Sequence, residues 1–305
     1  MVEGGLRTQG FTRPSTPVEP LLTVITVVYN GVLHIEKAIQ SVLSQDYFNI
    51  EYIIVDGCSS DGTIDIIQHY ENKIDYWMSA PDQGIYDAMN KGIMLSRGEL
   101  IGFLNSDDYY EPGAIRAVIE DYKKKCYRGI YYGNSYVIQS DLRIRYLAIG
   151  NANLWRGLGF KHQAMFVHRD IHKQFGLYNP AYRIAADYDY VLRAVSKRVK
   201  LIHINKTLVN YSNTGASGIN RIETMNEIRV IGKRHFGFFS LPHLGLLLVF
   251  PRVYLFQIAG RLIAIIFGDK ALVAVRSVYT KFGSALISRI HHQECYNRPC
   301  FSLIG

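Results

Sequence analysis

Two adjacent carboxylates, Asp107 and Asp108, lie just after an apolar run in residues 100–104. The run is too short for a helix, so it is predicted to be a buried strand that delivers both carboxylates to its carboxyl end. An oxygen-rich pair at that place suits Mg²⁺ or Mn²⁺ bound together with a substrate phosphate. The alternative is that the two aspartates form a turn and cap the helix that follows Pro112.

Further carboxylates follow apolar runs in the first half of the chain. Asp56 opens a polar loop after residues 52–55, and Asp82 lies in a loop that precedes an amphipathic segment. Carboxylates at such strand ends can accept hydrogen bonds from a ribose or a base edge. The alternative for the first loop is a capped turn, in which Asp61 or Thr63 caps the next helix.

Two candidates in the second half each have a structural alternative. His162 precedes a predicted strand and could bind phosphate, a metal or an acceptor, but a single histidine there is commonly structural. Asp187 stands at the start of a helical pattern, where its spacing alone indicates an N-cap.

Apolar runs and helical patterns alternate along the first half of the chain. Successive strand-helix units with short connections predict a parallel sheet with right-handed crossovers. Tyr86 and Met89 are predicted to face the core of such a fold. Residues 130–138 and 142–147 alternate in polarity and predict a hairpin. The predicted parallel strands are residues 21–28, 52–55, 76–78 and 100–104.

The common glycine-rich nucleotide motifs are absent from the sequence. No Gly-x-Gly-x-x-Gly follows the first predicted strand, and no Gly-x-x-x-x-Gly-Lys occurs. Neither a dinucleotide fingerprint nor a P-loop is therefore supported. A bound nucleotide would be held by carboxylates and a metal.

The composition favours an anionic partner in a reducing compartment. The net charge of +8 suits a nucleotide, a nucleic acid or a lipid surface. Nucleic acid is not a predicted partner, because basic and aromatic residues do not cluster and no known module is present. Four cysteines without Cys-x-x-Cys spacing indicate the cytosol. Residues 1–20 lack the apolar segment of a signal peptide and are predicted to be a flexible leader.

Five motifs occur in an order that is characteristic of one enzyme family. They are TVITVVYNG, IEYIIVDGCSSDGT, PDQGIYDAMNKG, GFLNSDD and IAADYDYVLRA, and they span roughly residues 22–212. In this combination the chain resembles the family 2 glycosyltransferases, and in particular the subgroup that builds bacterial surface polysaccharides such as O-antigen. The resemblance implies a GT-A fold, which is a Rossmann-like α/β nucleotide-diphospho-sugar transferase fold with a mostly parallel central sheet. It also implies a nucleotide-sugar donor, commonly a UDP-sugar.

The resemblance implies roles for individual residues on the donor side. The Asp-x-Asp-type motif falls on residues 106–108, where Asp107 would approach the ribose or the metal and Asp108 would ligate Mn²⁺ or Mg²⁺. Serine at position 106 reduces the number of acidic contacts. The positions that match the nucleotide contacts of the family are Thr26, Tyr29 and Asp56 around the base, and Asp82 beside them.

The resemblance likewise implies the catalytic base. Asp187 occupies the second position of the family's Glu-Asp pair, and Ala186 replaces the glutamate. A single displacement with this base inverts the anomeric configuration and needs no covalent nucleophile. On the acceptor side the candidates are Trp155, His162 and Gln163.

The expected domain organisation has three parts. Residues 1–20 form the leader, and a catalytic domain over 21–212 divides into a nucleotide-binding half, 21–110, and an acceptor half, 111–212. Residues 213–305 form a helical, apolar and basic C-terminal extension whose apolar stretches are interrupted and too short to span a membrane. It either packs on the catalytic domain or anchors the enzyme at a lipid surface.

An interfacial anchor would suit an acceptor that is itself membrane-bound. The expected acceptor is a polyprenyl-diphosphate-linked saccharide, which places the enzyme in the cytoplasm, peripherally associated with the inner membrane. Two other functions remain open. A sugar nucleotidyltransferase would need a basic triphosphate-binding loop after the first strand, and residues 29–32 supply none. A nucleotide-sugar-binding scaffold without catalysis is favoured only by Ala186.

Overall fold

The predicted strands belong to one sheet with helices on both sides. A computed structural model describes residues 1–125, 127–139, 144–155, 157–213 and 221–237. The strands in these residues are β1 Val2–Gly4, β2 Leu22–Val28, β3 Ile50–Asp56, β4 Tyr76–Ser79, β5 Leu100–Asn105, β6 Tyr109–Tyr110, β7 Ile130–Gln139, β8 Ile144–Ala148, β9 Met165–His168 and β10 Leu201–Ser212. The α-helices there are α1 Ile35–Leu43, α2 Thr63–His69, α3 Ile85–Leu95, α4 Ala114–Lys125, α5 Arg169–Phe175, α6 Ala186–Ser196 and α7 Arg221–Phe236.

The centre of the sheet is parallel, as the strand-helix units predict. β4, β3, β2 and β5 lie side by side in this order and run in one direction. β7 and β10 form a second parallel pair. Antiparallel β9 joins the two parts because it pairs with both β5 and β7. β7 also pairs with β8 in the predicted hairpin, whose connecting turn lies outside the described residues. The fold is therefore α/β with a mixed sheet whose longest pairings are parallel.

Two apolar layers cover the two faces of the sheet. Along β2, Leu22 and Val24 contribute to one layer, while Ile25 and Val27 contribute to the other, as the alternation of a strand requires. α1, α2 and α4 pack in the first layer, and α3, α5, α6 and α7 pack in the second. Since both faces are covered, the ends of the strands are the place where a ligand can reach the sheet.

The first twenty residues differ from the expected flexible leader. Residues 2–4 form β1, which pairs antiparallel with β4. Arg7 forms an ion pair with the buried carboxylate of Glu51, and Nε of Arg13 lies 2.6 Å from Oδ1 of buried Asp75. Because an unpaired buried carboxylate is costly, these two arginines give the amino terminus a defined place. The described residues, including these, belong to one compact unit.

The C-terminal extension is described only over residues 221–237. There α7 packs on α6, and Ile231 of α7 is fully buried in the second layer. In the part of the chain that the structure describes, no helix is both long and apolar enough to cross a membrane. The predicted anchor rests on the apolar residues 236–268, and all of these after residue 237 lie outside the described residues.

Candidate active site

The carboxyl ends of β2, β3 and β5 meet at one edge of the sheet. Val28 of β2 lies opposite Asp56 of β3, and Val27 lies opposite Asn105 of β5. The loops that follow β2 and β3 are joined by hydrogen bonds. The amide of Asn30 donates to Oγ of Ser59 at 2.7 Å, and the amide of Gly57 donates to the carbonyl of Val28 at 2.8 Å. The strand-end residues singled out in the sequence are thereby brought together.

Tyr29 and Asp82 come together over Gly57. A Cβ at position 57 would lie 2.5 Å from Oδ2 of Asp82 and 3.4 Å from Cδ2 of Tyr29, so only glycine leaves the Asp82 carboxylate where it is. Tyr29 is 67% exposed and Asp82 is partly exposed. Both side chains can therefore contact a ligand at this edge.

Thr26 and Asp56 are placed differently, because both side chains are buried. The Thr26 hydroxyl lies 3.1 Å from the hydroxyl of Tyr52 in the core. Asp56 accepts hydrogen bonds from the Ser59 amide at 2.9 Å and from the Ser79 hydroxyl at 2.6 Å. In this geometry Asp56 organises the loop after β3, and Thr26 supports β2 from within. The spacing in the sequence placed these residues on β2 and β3 correctly but could not show which side chains face inward.

Asp107 and Asp108 lie just past the end of β5. Asp108 is buried, and its Oδ1 accepts a hydrogen bond from the Ser212 amide at 2.7 Å. Gln163 approaches the same carboxylate. Burial, and next the neighbouring Asp107, raise the pKa of Asp108 well above its usual range. Burial also raises the pKa of Asp107.

The donor set at this place fits a hard divalent cation. Among the described residues, Oδ2 of Asp108 and Oδ1 of Asn105 are buried and have no hydrogen-bond donor. Buried oxygens of this kind are unfavourable unless a cation or a donor reaches them, and oxygen ligands are those that Mg²⁺ and Mn²⁺ prefer. The described residues contain no group of three or more His, Cys, Asp or Glu side chains that could hold a metal alone. A cation here would need further ligands from a phosphate or water.

Lys161 is a charged residue of this site that the sequence analysis did not select. Burial lowers the pKa of Lys161, whereas the charges of Asp108 and Asp187 raise it. Its Nζ lies 4.0 Å from the centre of the Tyr211 ring. Lys161 in turn lowers the pKa of both aspartates. In the sequence nothing distinguishes this lysine from a solvated one, since its environment is made by distant segments.

Asp187 lies in the first turn of α6, beside Tyr86 of α3. The Tyr86 hydroxyl lies 3.2 Å from Oδ1 of Asp187 and donates to the carbonyl of Ile184 at 2.7 Å. The Tyr188 amide donates to Asp187 at 2.8 Å. Burial raises the pKa of Asp187 to about 6, against the opposing effects of these donors and of Lys161. Tyr86 is buried, as predicted, and also touches the candidate base.

The three acceptor candidates have different environments. His162 is buried, stacks on Phe103, and has Nε2 2.9 Å from the Tyr178 hydroxyl, which favours its structural alternative. Burial lowers its pKa to about 4. Gln163 is buried beside Asp108. Trp155 is 53% exposed in the loop before β9, where an aromatic side chain can contact a ligand.

Most residues of this site lie in a segment that matches a known family, and Asp187 lies just beyond that segment. The model of "Glycosyl transferase family 2" matches residues 23–182, which is more than half of the chain. The chain belongs to glycosyltransferase family 2. It is a glycosyltransferase, and the fold and enzyme class that the motifs predict are confirmed.

Several proteins are similar to this glycosyltransferase in sequence. An uncharacterized glycosyltransferase of Mycobacterium tuberculosis is 32% identical over 183 residues, which are 57% of this chain and 69% of that protein. A PGL/p-HBAD biosynthesis glycosyltransferase of Mycobacterium bovis is 31% identical over 58% of this chain and 70% of its own length. Chondroitin synthase of Pasteurella multocida is 29% identical over 63% of this chain but only 20% of its own length.

Solved structures share the fold at low sequence identity. TarS 1-349 of S. aureus in complex with UDP-GlcNAc has a TM-score of 0.55 at 17% identity, over 69% of this chain and 66% of that one. The mannosyltransferase PcManGT from Pyrobaculum calidifontis, in complex with GDP-Man and Mn²⁺, has a TM-score of 0.57 at 14% identity, over 90% and 93% of the two chains. These likenesses establish a GT-A-like fold.

Proposed function

We propose that this glycosyltransferase moves a sugar from a nucleotide-sugar donor, of the UDP class, to a hydroxyl of a saccharide acceptor. The reaction is a single displacement that inverts the anomeric configuration. The observation that carries this proposal is a group of three side chains centred on Lys161. One oxygen of the Asp108 carboxylate has no hydrogen-bond donor, and the pKa of the Asp187 carboxylate is raised. That grouping offers a place for a leaving diphosphate and a base in one site.

The donor side is formed by the edge of β2, β3 and β5. Tyr29 contacts the nucleobase, and Asp82 accepts hydrogen bonds from the nucleoside, while Asp56 shapes the loop that receives it. Asp108 and Asp107 would hold a divalent cation, Mn²⁺ or Mg²⁺, together with the diphosphate. When bound, that cation acts as a Lewis acid toward the departing diphosphate oxygen. Support comes from fold relatives whose structures contain UDP-GlcNAc, or GDP-Man with Mn²⁺.

On the acceptor side, Asp187 removes the proton from the attacking hydroxyl. A pKa of about 6 leaves this carboxylate ionised at neutral pH while making it more basic than an ordinary aspartate. Lys161 contributes positive charge near the diphosphate that the donor would carry. The exposed Trp155 ring contacts the acceptor sugar.

The acceptor is a polyprenyl-diphosphate-linked saccharide of a bacterial surface polysaccharide pathway, such as that of O-antigen. The catalytic domain, predicted as residues 21–212, would work at the cytoplasmic leaflet of the inner membrane, with the apolar and basic residues that follow α7 at the lipid surface. The net charge of +8 favours an anionic surface and a diphosphate-bearing acceptor. Relatives named for PGL/p-HBAD biosynthesis and chondroitin synthesis are consistent with a saccharide acceptor.

The donor assignment is tested by thermal unfolding with UDP, GDP, CMP and dTDP, each with and without Mn²⁺. A ligand that binds only the folded state raises the Tm, so no acceptor is needed. We expect UDP with Mn²⁺ to stabilise the wild type and to lose that effect in Asp108→Ala. A nucleotide-induced rise in Tm without turnover on any supplied acceptor would favour a binding scaffold. No shift with any nucleotide would overturn the donor assignment.

A further inference from the structure

The helix that carries Asp187 begins without a cap of its own. α6 starts at Ala186, and the preceding residue, Ala185, provides no side-chain hydrogen bond to the helix. Alanine is among the least favourable residues at this position, because the first amides of a helix have no partners within it. The side chain at the N-cap position therefore does not fix the start of α6.

Glu227 of α7 accepts hydrogen bonds from three successive amides there. Its Oε1 accepts from the Arg183 amide at 2.7 Å, and its Oε2 accepts from the Ile184 and Ala185 amides at 2.9 and 2.8 Å. A carboxylate also interacts favourably with the positive end of a helix dipole, and hydrogen bonds to a charged acceptor are stronger than neutral ones. Glu227 thus fixes the three residues that lead into α6, from a position more than forty residues later in the chain.

The same segment is also held by Tyr86. The Tyr86 hydroxyl donates to the Ile184 carbonyl, while the Ile184 amide donates to Glu227. Asp187 follows two residues after Ala185. A displacement of residues 183–185 would consequently move the first turn of α6 and the Asp187 carboxylate with it.

We propose that Glu227 is a positioning residue for glycosyl transfer, which holds residues 183–185 so that the Asp187 carboxylate can reach the attacking hydroxyl. The inference rests on the proposed role of Asp187 as the base. Glu227 lies beyond residues 23–182, which the family model matches, so that match does not assign it a role. Displacements of about 1 Å at a reacting group can cost roughly 100-fold in rate. Hydrogen bonds that keep residues 183–185 in place can therefore affect the rate strongly.

α7 has other anchors that remain if Glu227 is changed. Ile231 is fully buried, and Nε2 of His235 lies 3.0 Å from Oδ1 of Asp189. The same helix also offers a matched control, one turn earlier. Glu223 pairs with the exposed guanidinium of Arg183 at 3.8 Å and contacts no backbone amide in the described part of the chain.

The test compares Glu227→Ala and Glu227→Gln with Glu223→Ala, using the sugar acceptor on which the wild type is active. For Glu227→Ala we expect kcat to fall roughly 10- to 100-fold, while KM for the donor and the nucleotide-induced rise in Tm stay within about twofold of wild type. Glu227→Gln keeps an oxygen that can accept from the amides and should recover part of the loss. Glu223→Ala should behave as wild type.

The pH profile separates positioning from general loss of structure. If the segment loosens, Asp187 becomes more accessible to water, and the acidic limb of the kcat profile should move below pH 6 in Glu227→Ala but not in Glu223→Ala. Wild-type kcat in Glu227→Ala would overturn the proposal, as would the same loss in Glu223→Ala. Failure of both Glu227 variants to fold would also overturn it, by showing a structural role. Full activity of Asp187→Asn would instead reject the proposed base, whatever Glu227 does.

Discussion

The proposed nucleotide edge, at the loops after β2 and β3, and the proposed base region, around Asp187, are built in different ways. At the nucleotide edge, hydrogen bonds link loops that are close in sequence: Ser59 to Asp56 three residues away, and Asn30 to Ser59 29 residues away. In the base region, Tyr86 meets Asp187 across 101 residues, and Ile184 meets Glu227 across 43. The nucleotide edge is set by successive strand-loop units, whereas the base region exists only when α3, α6 and α7 pack together.

This difference separates the kinetic consequences that substitutions should have. Changes at the nucleotide edge should weaken donor binding and leave the pH dependence of kcat in place. Changes in the base region should lower kcat or shift its pH dependence while nucleotide binding survives. Four experiments test whether the two regions differ in this way.

The largest effect is expected for Asp187→Asn. An amide cannot accept the proton of the attacking hydroxyl, so kcat should fall by roughly 1000-fold. In the wild type, kcat should also fall as the pH drops below about 6, where Asp187 becomes protonated. Steady-state rates give both results, and the nucleotide-induced Tm shift of the variant should match wild type. Unchanged turnover would reject the assignment of the base.

Lys161→Met should have the next largest effect. Loss of the positive charge near Asp108 and Asp187 is expected to lower kcat/KM roughly 10- to 100-fold. Because Lys161 lowers the pKa of Asp187, its removal should move the acidic limb to higher pH, opposite to the shift expected for Glu227→Ala. The control is Lys173→Met, a more exposed lysine that lies 3.8 Å from Asp170. If the acidic limb of the pH profile stayed at the same pH in Lys161→Met, Lys161 would not affect the pKa of Asp187.

Gly57→Ala tests the nucleotide edge with a smaller effect. The added Cβ would lie 2.5 Å from Oδ2 of Asp82, so the carboxylate must turn away. Since only the flexible end of a side chain has to move, we expect stability to change by less than about 1 kcal/mol. KM for the donor should rise several-fold, roughly 1 kcal/mol in binding. If Gly57→Ala changed the pH dependence of kcat and left KM for the donor unchanged, the separation of the two regions would be contradicted.

A further effect, on unfolding rather than on kinetics, concerns how stability depends on pH. The folded-state pKa of Asp187, about 6, lies above its ordinary value of 3.8, so the folded protein binds its proton more tightly than the unfolded chain. The resulting stability is present below pH 4 and is lost as the pH rises through 6. Asp187→Asn should therefore become more stable relative to wild type between pH 4 and 7, by roughly 2 kcal/mol. Urea unfolding at both pH values measures this, and a constant difference would contradict it.

The parallel centre of the sheet could be predicted from the sequence because each unit is local. Residues 22–28 are β-branched or apolar, and the next apolar residues recur at helical spacing, which suffices for strand, loop and helix. The position of Asp107 and Asp108 after β5 follows from the same pattern. The burial of Asp56 and Thr26 does not, because strand alternation alone cannot show that a polar side chain finds partners inside.

At the amino terminus, too, the local sequence does not show which partners the side chains find in the fold. Its glycines and prolines predict a loose segment, but Arg7 and Arg13 pair with carboxylates on or next to strands more than forty residues away. Nothing within residues 1–20 indicates those partners.

The sequence by itself determined the strand-helix order, the family and the carboxylates available for chemistry, because these depend on local periodicity and on motifs a few residues long. The tertiary structure decided which charges act together. Lys161, Tyr86 and Glu227 have ordinary local sequence, and each reaches the site only through packing of segments 26 to 101 residues apart. Burial then alters their electrostatics, since a charge withdrawn from water interacts strongly with the few groups beside it.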